Sequence, residues 1–523
     1  MDDFERICAA LDYMKHNPGT TLEIPSGIYV ITTKEARVAQ SNVMSGLYGN
    51  NPEPVMFNPF YKYSRGMDFD GHNGSTVIAY GVTLMIDGFM EPVSIRNCQD
   101  VTIYGLTIDH KRKPYSKGII NDVRINDDGV SGTVCASFDE SYPICENMPA
   151  PRYCTYDKTE NRFDLSMKIK GRRMVSHQML ELDCKHINNS FVGRELYLWH
   201  TYHSRPAVLI YKAQNTVLRD IKIHSNPGMG ITAQQSENID IERLEVIPSA
   251  GEHMATNTDA THFASCRGKL RLDGCIFEGQ GDDSINVHTY YYTIEKTGGN
   301  TCRLTVKAPT GTHAQALDYP LVGDTLELTY RDCLLCSKKY KVVRSEPNFE
   351  GMYVDVVLDD TVPDYTEKYF FADSDSLPEL EFRNCSLRNH FARGIMLKCR
   401  HAIIDNCIIM DSVRTAIKIA AEGRWHEGTN TEDVVISNCH IVNCGIAEKN
   451  NADGTGGISV SVDAEEPMGK PHRKITIKDN IIECPDVEHC ISISGVEELI
   501  IQNNKLISHG EGVIIKDYPN GDL

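Results

Sequence analysis

Five segments toward the C-terminus repeat one phrase: Leu380-Glu-Phe-Arg-Asn-Cys-Ser-Leu387, Ala402-Ile-Ile-Asp-Asn-Cys-Ile-Ile409, Val434-Val-Ile-Ser-Asn-Cys-His-Ile441, Ile475-Thr-Ile-Lys-Asp-Asn-Ile-Ile482 and Leu499-Ile-Ile-Gln-Asn-Asn-Lys-Leu506. Each reads as a β-branched strand, an Asn at a turn and a second strand. Asn suits such corners because it tolerates the left-handed backbone that turns them. The Asn positions 384, 406, 438, 480 and 504 are 22, 32, 42 and 24 apart, close to one solenoid coil with insertions in the middle. Upstream, Val93-Ser-Ile-Arg-Asn-Cys98, Val101-Thr-Ile-Tyr-Gly-Leu-Thr-Ile108, Val217-Leu-Arg-Asp-Ile-Lys-Ile223 and Ile239-Asp-Ile-Glu-Arg-Leu-Glu-Val246 fit the same template. A repeat that cannot bury its apolar face alone must stack on its neighbours. The expected fold is all-β, a right-handed parallel β-helix.

From Asp2 to His16 the period changes to that of a helix, with Phe4, Ile7, Cys8, Leu11 and Met14 on one stripe. Ahead of stacked strands it is placed to cap the open end of the solenoid. Two stretches, 119–200 and 289–376, break the repeat and are rich in hairpin signals. They share a phrase, Val192-Gly-Arg-Glu-Leu-Tyr-Leu198 and Val322-Gly-Asp-Thr-Leu-Glu-Leu328, and read as two small inserted antiparallel β-barrels. The chain then divides into a cap with first coils (residues 1–118), a barrel (119–200), central coils (201–288), a second barrel (289–376) and C-terminal coils (377–523).

The net charge of −19 argues against a nucleic-acid partner, which needs a basic footprint. It also disfavours an anionic polymer and suits a neutral glycan. No apolar run reaches the roughly 18 residues of a membrane helix, so no membrane partner is expected. The acidic N-terminus does not resemble a signal peptide. A cytoplasmic home is expected, or an exported one if a signal has been removed. The 18 cysteines sit largely in Asn-Cys pairs within strands, where a thiol is a small buried hydrophobe, and are read as reduced.

Chemistry concentrates in Asp259-Ala-Thr-His-Phe-Ala-Ser-Cys-Arg-Gly268 and Gly279-Gln-Gly-Asp-Asp-Ser-Ile-Asn-Val-His288. Asp259 and Asp282 are 282 − 259 = 23 residues apart, one coil, which stacks them on one face. Asp282 and Asp283 would face opposite ways in a regular strand, but Gly279 and Gly281 suggest a bulge that turns both into one cleft. Three clustered carboxylates supply a raised-pKa acid beside an ionised base, the equipment for cleaving a glycosidic bond. An isolated Asp-Asp is more often a solvated turn. Asp259 one coil away, with His262, Asn286 and His288 close by, tips the reading toward a site.

These motifs resemble glycoside hydrolase family 110. The likeness runs through Asp87-Gly-Phe-Met-Glu-Pro-Val-Ser-Ile95, Pro227-Gly-Met-Gly-Ile231, Asn389-His-Phe-Ala-Arg-Gly-Ile395 and Arg424-Trp-His-Glu-Gly428, and so covers most of the chain. It implies an inverting exo-α-1,3-galactosidase that removes terminal galactose, with Asp259, Asp282 and Asp283 as catalytic aspartates. The sequence departs from the family's pattern at Thr289-Tyr-Tyr-Tyr292 after Asn-Val-His, beside the pocket, which leaves the sugar open. Inversion by separate acid and base places the carboxyls roughly 6.5–9.5 Å apart. Asp282 is taken as the acid, with Asp259 and Asp283 sharing the water.

Glu422, Trp425 and Glu427 are expected in a loop lining the sugar pocket, with a solvated turn the competing reading. His262 and His288 are candidates for sugar hydroxyls, against the commoner role of satisfied core histidines. Arg267 and Arg393 are candidates to clamp carboxylates or substrate, against ordinary salt bridges. Cys333-Leu-Leu-Cys336 lacks a second ligand pair for zinc, and no phosphate loop follows a strand, so neither metal nor cofactor is expected. The alternatives are a β-helix glycosidase on another α-linked terminal sugar, a polygalacturonase-like hydrolase, and a non-catalytic glycan-binding β-helix. The long faces also leave self-association open.

Overall fold

The computed structural model describes residues 3–164, 167–306, 316–449 and 454–520. Two parallel stacks of strands form the body. One runs through Arg267–Asp273, Glu379–Arg383, His401–Asp405, Asp433–Ser437, Ile475–Lys478 and Leu499–Gln502. The other runs through Val208–Tyr211, Ile231–Gln234, Thr261–Ala264, Ile285–Lys296, Ile395–Leu397 and Ile417–Glu422. Register is kept from coil to coil, so like sits on like. Ile95, Ile210, Ala233, Phe263, Val287, Leu397, Ile419, Val460 and Ile493 form one continuous column, all buried in the central core. The fold is the expected right-handed parallel β-helix.

The corner column explains the Asn-Cys phrase. Gly274, Asn384, Asn406 and Asn438 take positive φ of 66°, 55°, 54° and 55°, and the next residue, Cys275, Cys385, Cys407 or Cys439, turns into the core. In the last two coils the left-handed residue is Asp479 or Asn503, φ 58° and 55°, not Asn480 or Asn504 as read from sequence. Asp and Asn visit this region equally well, so the pattern slipped by one. Asn480 instead occupies the inward cysteine column, 1% exposed. Its amide accepts from the Cys439 N–H (2.9 Å) and donates to the Ile436 carbonyl (3.1 Å) and Asn504 Oδ1 (2.9 Å).

The helix Asp3–His16 buries Ile7, Leu11 and Met14 against the first coils as a cap. Both insertions close into six-stranded antiparallel rings. The first joins Tyr115–Ile125, Ser131–Phe138, Met179–Lys185, Met167–Ser176, Arg152–Asp157 and Glu195–Trp199. The second joins Ile285–Lys296, Thr301–Thr305, Tyr353–Leu358, Cys336–Asn348, Thr325–Tyr330 and Tyr369–Asp373. Each has its own apolar cluster. Strand Ile285–Lys296 belongs to both worlds: residues 285–287 pair in parallel within the helix, and 291–296 pair antiparallel within the barrel.

Candidate active site

The two segments that carried the sequence argument meet on the outer face of the second stack. The Gly230 N–H bonds the Asp259 carbonyl (2.9 Å), the Ala260 N–H that of Asp283 (3.0 Å), and the Ser284 N–H that of Arg393 (3.1 Å). Met229, Asp259, Asp283 and Arg393 therefore occupy one column in successive coils. The aspartate stacked on Asp259 is thus Asp283 and not Asp282, which the sequence reading had placed one coil from Asp259. Asp282 lies in the preceding turn and accepts from the Tyr202 hydroxyl. The turn through Gly279 and Gly281, and not a strand bulge, brings all three carboxylates into one cleft.

That cleft is a cavity of about 360 Å³. Of the sequence candidates, Asp259, Asp282, Asp283, His262, Asn286, Arg393, Glu422, Trp425 and Glu427 line it. His288 lies behind the wall, bonded to His262 (2.8 Å). Arg267 lies elsewhere: its guanidinium bonds Asp324 (2.8 Å) and Asp373 (3.2 Å) at the root of the second barrel. It is a structural ion pair and not a substrate clamp. Glu422 and Glu427 are not loop residues. They end and begin two short strands that pair antiparallel with each other, and Glu427–Gly428 pairs with Thr289 and Tyr290 as that strand leaves for the barrel.

Other wall residues carried no signal in the sequence reading. Tyr202 and His203 follow the first barrel, and Arg152 projects from it to lie 4.6 Å over the Tyr202 ring. Glu53 bonds His203 (2.8 Å), and Phe57 stacks on it at 5.2 Å. Beneath the floor, Lys398 is fully buried. It donates to Glu427 (2.6 Å) and Asn286 (3.0 Å) and pairs with Glu422 (3.0 Å). A single Lys closing the otherwise apolar strand Ile395-Met-Leu-Lys398 was a signal available to the eye.

Burial, with the Asp282 carboxyl beside it, holds the Asp259 carboxyl well above its ordinary range. Burial also lifts Asp283, to about 8, against the pull of Arg393, which donates through its backbone N–H (2.8 Å) and guanidinium (2.7 Å). Two buried acids held this far above the ordinary carboxylate range keep protons at neutral pH. Burial works against a charge on His203, but its bond to Glu53 lifts it above the ordinary range. Burial likewise opposes the charge of Glu422, yet Lys398 and Arg393 hold it below the usual carboxylate value. His262, His288 and Glu427 bring ligand-type atoms within 4.8 Å. The two imidazole nitrogens, 2.8 Å apart, are closer than about 3.3 Å, the spacing two ligands at 2.0 Å would have around a tetrahedral metal. The two histidines share a hydrogen bond, with the Glu427 carboxylate 3.9 Å from His288 Nε2.

A parallel β-helix whose walled cavity gathers Asp259, Asp282 and Asp283 offers the carboxyl groups that glycoside hydrolysis requires, and the chain's relatives place it among glycoside hydrolases. The model of the right-handed β-helix region matches residues 370–520. The chain is 25% identical to alpha-1,3-galactosidase A of Bacteroides fragilis, over 96% of this chain and 84% of that protein. It is also 25% identical to alpha-1,3-galactosidase A of Shewanella woodyi, over 96% and 83%. These relatives carry the resemblance to glycoside hydrolase family 110 across nearly the whole chain. Among solved structures, an exopolygalacturonase from Thermotoga maritima superposes with a TM-score of 0.41 at 12% identity, covering 100% of this chain and 89% of that one.

Proposed function

We propose that the protein is an exo-acting, inverting glycosidase that releases terminal α-1,3-linked galactose from neutral glycans. The observation that carries this is the column of Asp259 and Asp283 under a cavity whose side wall presents Asp282. Asp282 protonates the leaving oxygen. A water held by Asp259 and Asp283 attacks the anomeric carbon from the opposite face and loses its proton to a carboxylate. The relatives' names supply the sugar. The net charge of −19 supports a neutral substrate. A uronate would approach against that overall field, which disfavours a polygalacturonase-like reaction. The walls from the first barrel and the N-terminal segment suit a chain end rather than the middle of a polymer.

The test is proton NMR of the anomeric signals during digestion of galactosyl-α-1,3-galactose, beside Asp282→Asn. β-Galactose appearing first, and lost in the variant, is the expected result. α-Galactose appearing first would overturn inversion. No galactose, with cleavage of another α-linked terminal sugar, would overturn the substrate but not the hydrolase.

A further inference from the structure

Behind Asp259 lies an unbroken line of hydrogen bonds. Asp259 Oδ2 is 2.6 Å from His262 Nδ1, His262 Nε2 is 2.8 Å from His288 Nε2, and His288 Nδ1 is 2.9 Å from the Thr289 carbonyl. The rings cross at 87° with centroids 4.9 Å apart, so they meet through their nitrogens and not face to face. Both histidines are buried, 1% and 0% exposed, and each of their ring nitrogens is engaged within this line.

The protons in this line can be counted from its far end. A carbonyl only accepts, so the Thr289 contact requires a proton on His288 Nδ1. A neutral imidazole protonated there has a bare Nε2. The next contact must then take its proton from His262 Nε2, which leaves His262 Nδ1 bare. The last contact closes only if Asp259 brings a proton of its own. An imidazolium at either histidine beside an Asp259 carboxylate would also fill all three contacts, even with Glu427 3.9 Å from His288 Nε2, but it places added charges in a dry site where one neutral hydrogen bond suffices, and burial lowers both imidazoles to about 4.

We propose that Asp259, His262 and His288 form a proton chain, anchored on the Thr289 carbonyl, that keeps Asp259 protonated in the free enzyme. The groups facing the chain are Asp282, Asp283, Glu427 and Asp318 on the acidic side and His203, Arg393 and Lys398 on the basic side. Burial acts in the same sense at both ends of the first contact, raising Asp259 and lowering His262 to about 4. His262 and His288 are then positioning residues and not sugar ligands. Resting on the hydrolytic reading of this site, the inference sharpens it: Asp259 orients the water as a neutral group, and Asp283, freed of one neighbouring charge and paired with Arg393, is the base.

The chain is read directly in the full-length protein labelled with ¹⁵N only in histidine. Ring-nitrogen shifts near pH 7 should give His288 protonated at Nδ1 alone and His262 at Nε2 alone, with assignments from His262→Gln and His288→Gln. A proton on His262 Nδ1, as tautomer or imidazolium, overturns the proposal whether or not any substrate is cleaved. Kinetics supply a second readout. Without an acceptor at position 288, His262 is free to place its proton on Nδ1 and donate to an Asp259 carboxylate. One such hydrogen bond corresponds to about one pH unit. The alkaline limb of kcat/KM for galactosyl-α-1,3-galactose should therefore move about one unit toward acid in His288→Leu and much less in His288→Gln, which keeps an acceptor. Unmoved limbs in both variants also overturn it. An inactive wild type with the expected tautomers would leave the chain standing and sink the hydrolytic reading.

Discussion

Lys398→Met is the substitution with the most readable consequence. Lys398 is the shared counter-ion of Glu422 and Glu427, at 3.0 and 2.6 Å, and none of its side chain is exposed. Removing one member of a buried ion cluster strands the others and costs about 3–5 kcal/mol. At roughly 2.1 cal/mol/K of unfolding entropy per residue, the 523 residues give about 1.1 kcal/mol/K, so a loss of about 4 kcal/mol lowers a cooperative Tm by about 4 °C. Arg393 and Lys418 remain near Glu422, so the larger part falls on Glu427, and Lys398→Met/Glu427→Gln should recover about half of the loss. The pH dependence follows from Glu422. Its folded pKa is depressed below 4.5 by Lys398 and Arg393, so it stabilises the fold above that value and ceases to as pH falls through the folded pKa. The gap between variant and wild type is therefore widest near neutrality and closes only as pH falls below 4.5. Scanning calorimetry of the three proteins at pH 7 and at steps from pH 4.5 downward measures it. A variant within about 1 °C of wild type at pH 7, or a gap that widens in acid, would refute the assignment of Lys398 as the buried counter-ion.

Other outcomes follow from the same geometry. Arg393→Leu removes both the charge and the side-chain bond that hold Asp283, and should lower kcat on the order of 10²-fold with a smaller change in KM, since a misplaced base is lost mainly in the transition state; an unchanged kcat would count against Asp283 as base. Trp425, 43% exposed on the rim, should act in binding, so Trp425→Ala raises KM by about tenfold at similar kcat. His472 accepts from the Thr431 N–H (3.2 Å) and bonds the Ser461 carbonyl (2.8 Å), and burial lowers it from 6.5 to about 4. Its stabilising effect is complete above about pH 6.5 and lost as pH falls toward 4, so His472→Gln should lose less stability than wild type over that interval, and an equal loss would exclude a buried neutral imidazole. Asn480→Ala leaves the Cys439 N–H without this acceptor and removes the amide's bond to the Ile436 carbonyl, and should cost about 1–3 kcal/mol; chemical denaturation that detects no change would rule out the inward amide.

The architecture was legible in the sequence because a parallel β-helix repeats its physics. Inward columns must be apolar and corners must tolerate positive φ, so Asn384, Asn406 and Asn438 announced the coils. The reading slipped at Asp479-Asn480 and Asn503-Asn504, where two adjacent residues suit the corner equally well and only the inward amide network decides between them. The site was legible as a set of carboxylates but not as an arrangement. Counting residues favoured Asp282 above Asp259, whereas the turn through Gly281 shifts the column to Asp283. Arg267 was misjudged because a guanidinium near a motif reads alike whether its partners are substrate or, as here, Asp324 and Asp373. Tyr202 and Arg152 could not be found by period at all, since the first barrel delivers them from outside the repeat.

That division of labour has a physical basis. Asp259, Asp283 and Arg393 belong to successive coils fixed by backbone hydrogen bonds, so their relative heights are set by strand spacing and cannot relax independently. Arg152, Tyr202 and Glu53 come from the first barrel, its exit and the N-terminal segment, outside the stacked strands, whereas the Trp425 hairpin is tied to them by backbone pairing. Changes in those three walls can reshape the cavity without moving the acids. The strand Ile285–Lys296 is the exception, since it carries Asn286 and His288 at its helical end and Tyr291 and Tyr292 in the barrel. A change in the second barrel that shifts this strand therefore alters the tether of the His262–His288 line as well as the shape of the pocket. Substitutions in the first barrel should then alter substrate choice with an intact pH profile, whereas substitutions at Tyr292, whose hydroxyl bonds the buried Asp318, should move both together. Comparing pH profiles of Arg152→Ala and Tyr292→Phe separates the two cases, and a shifted limb in the first with none in the second would contradict this account.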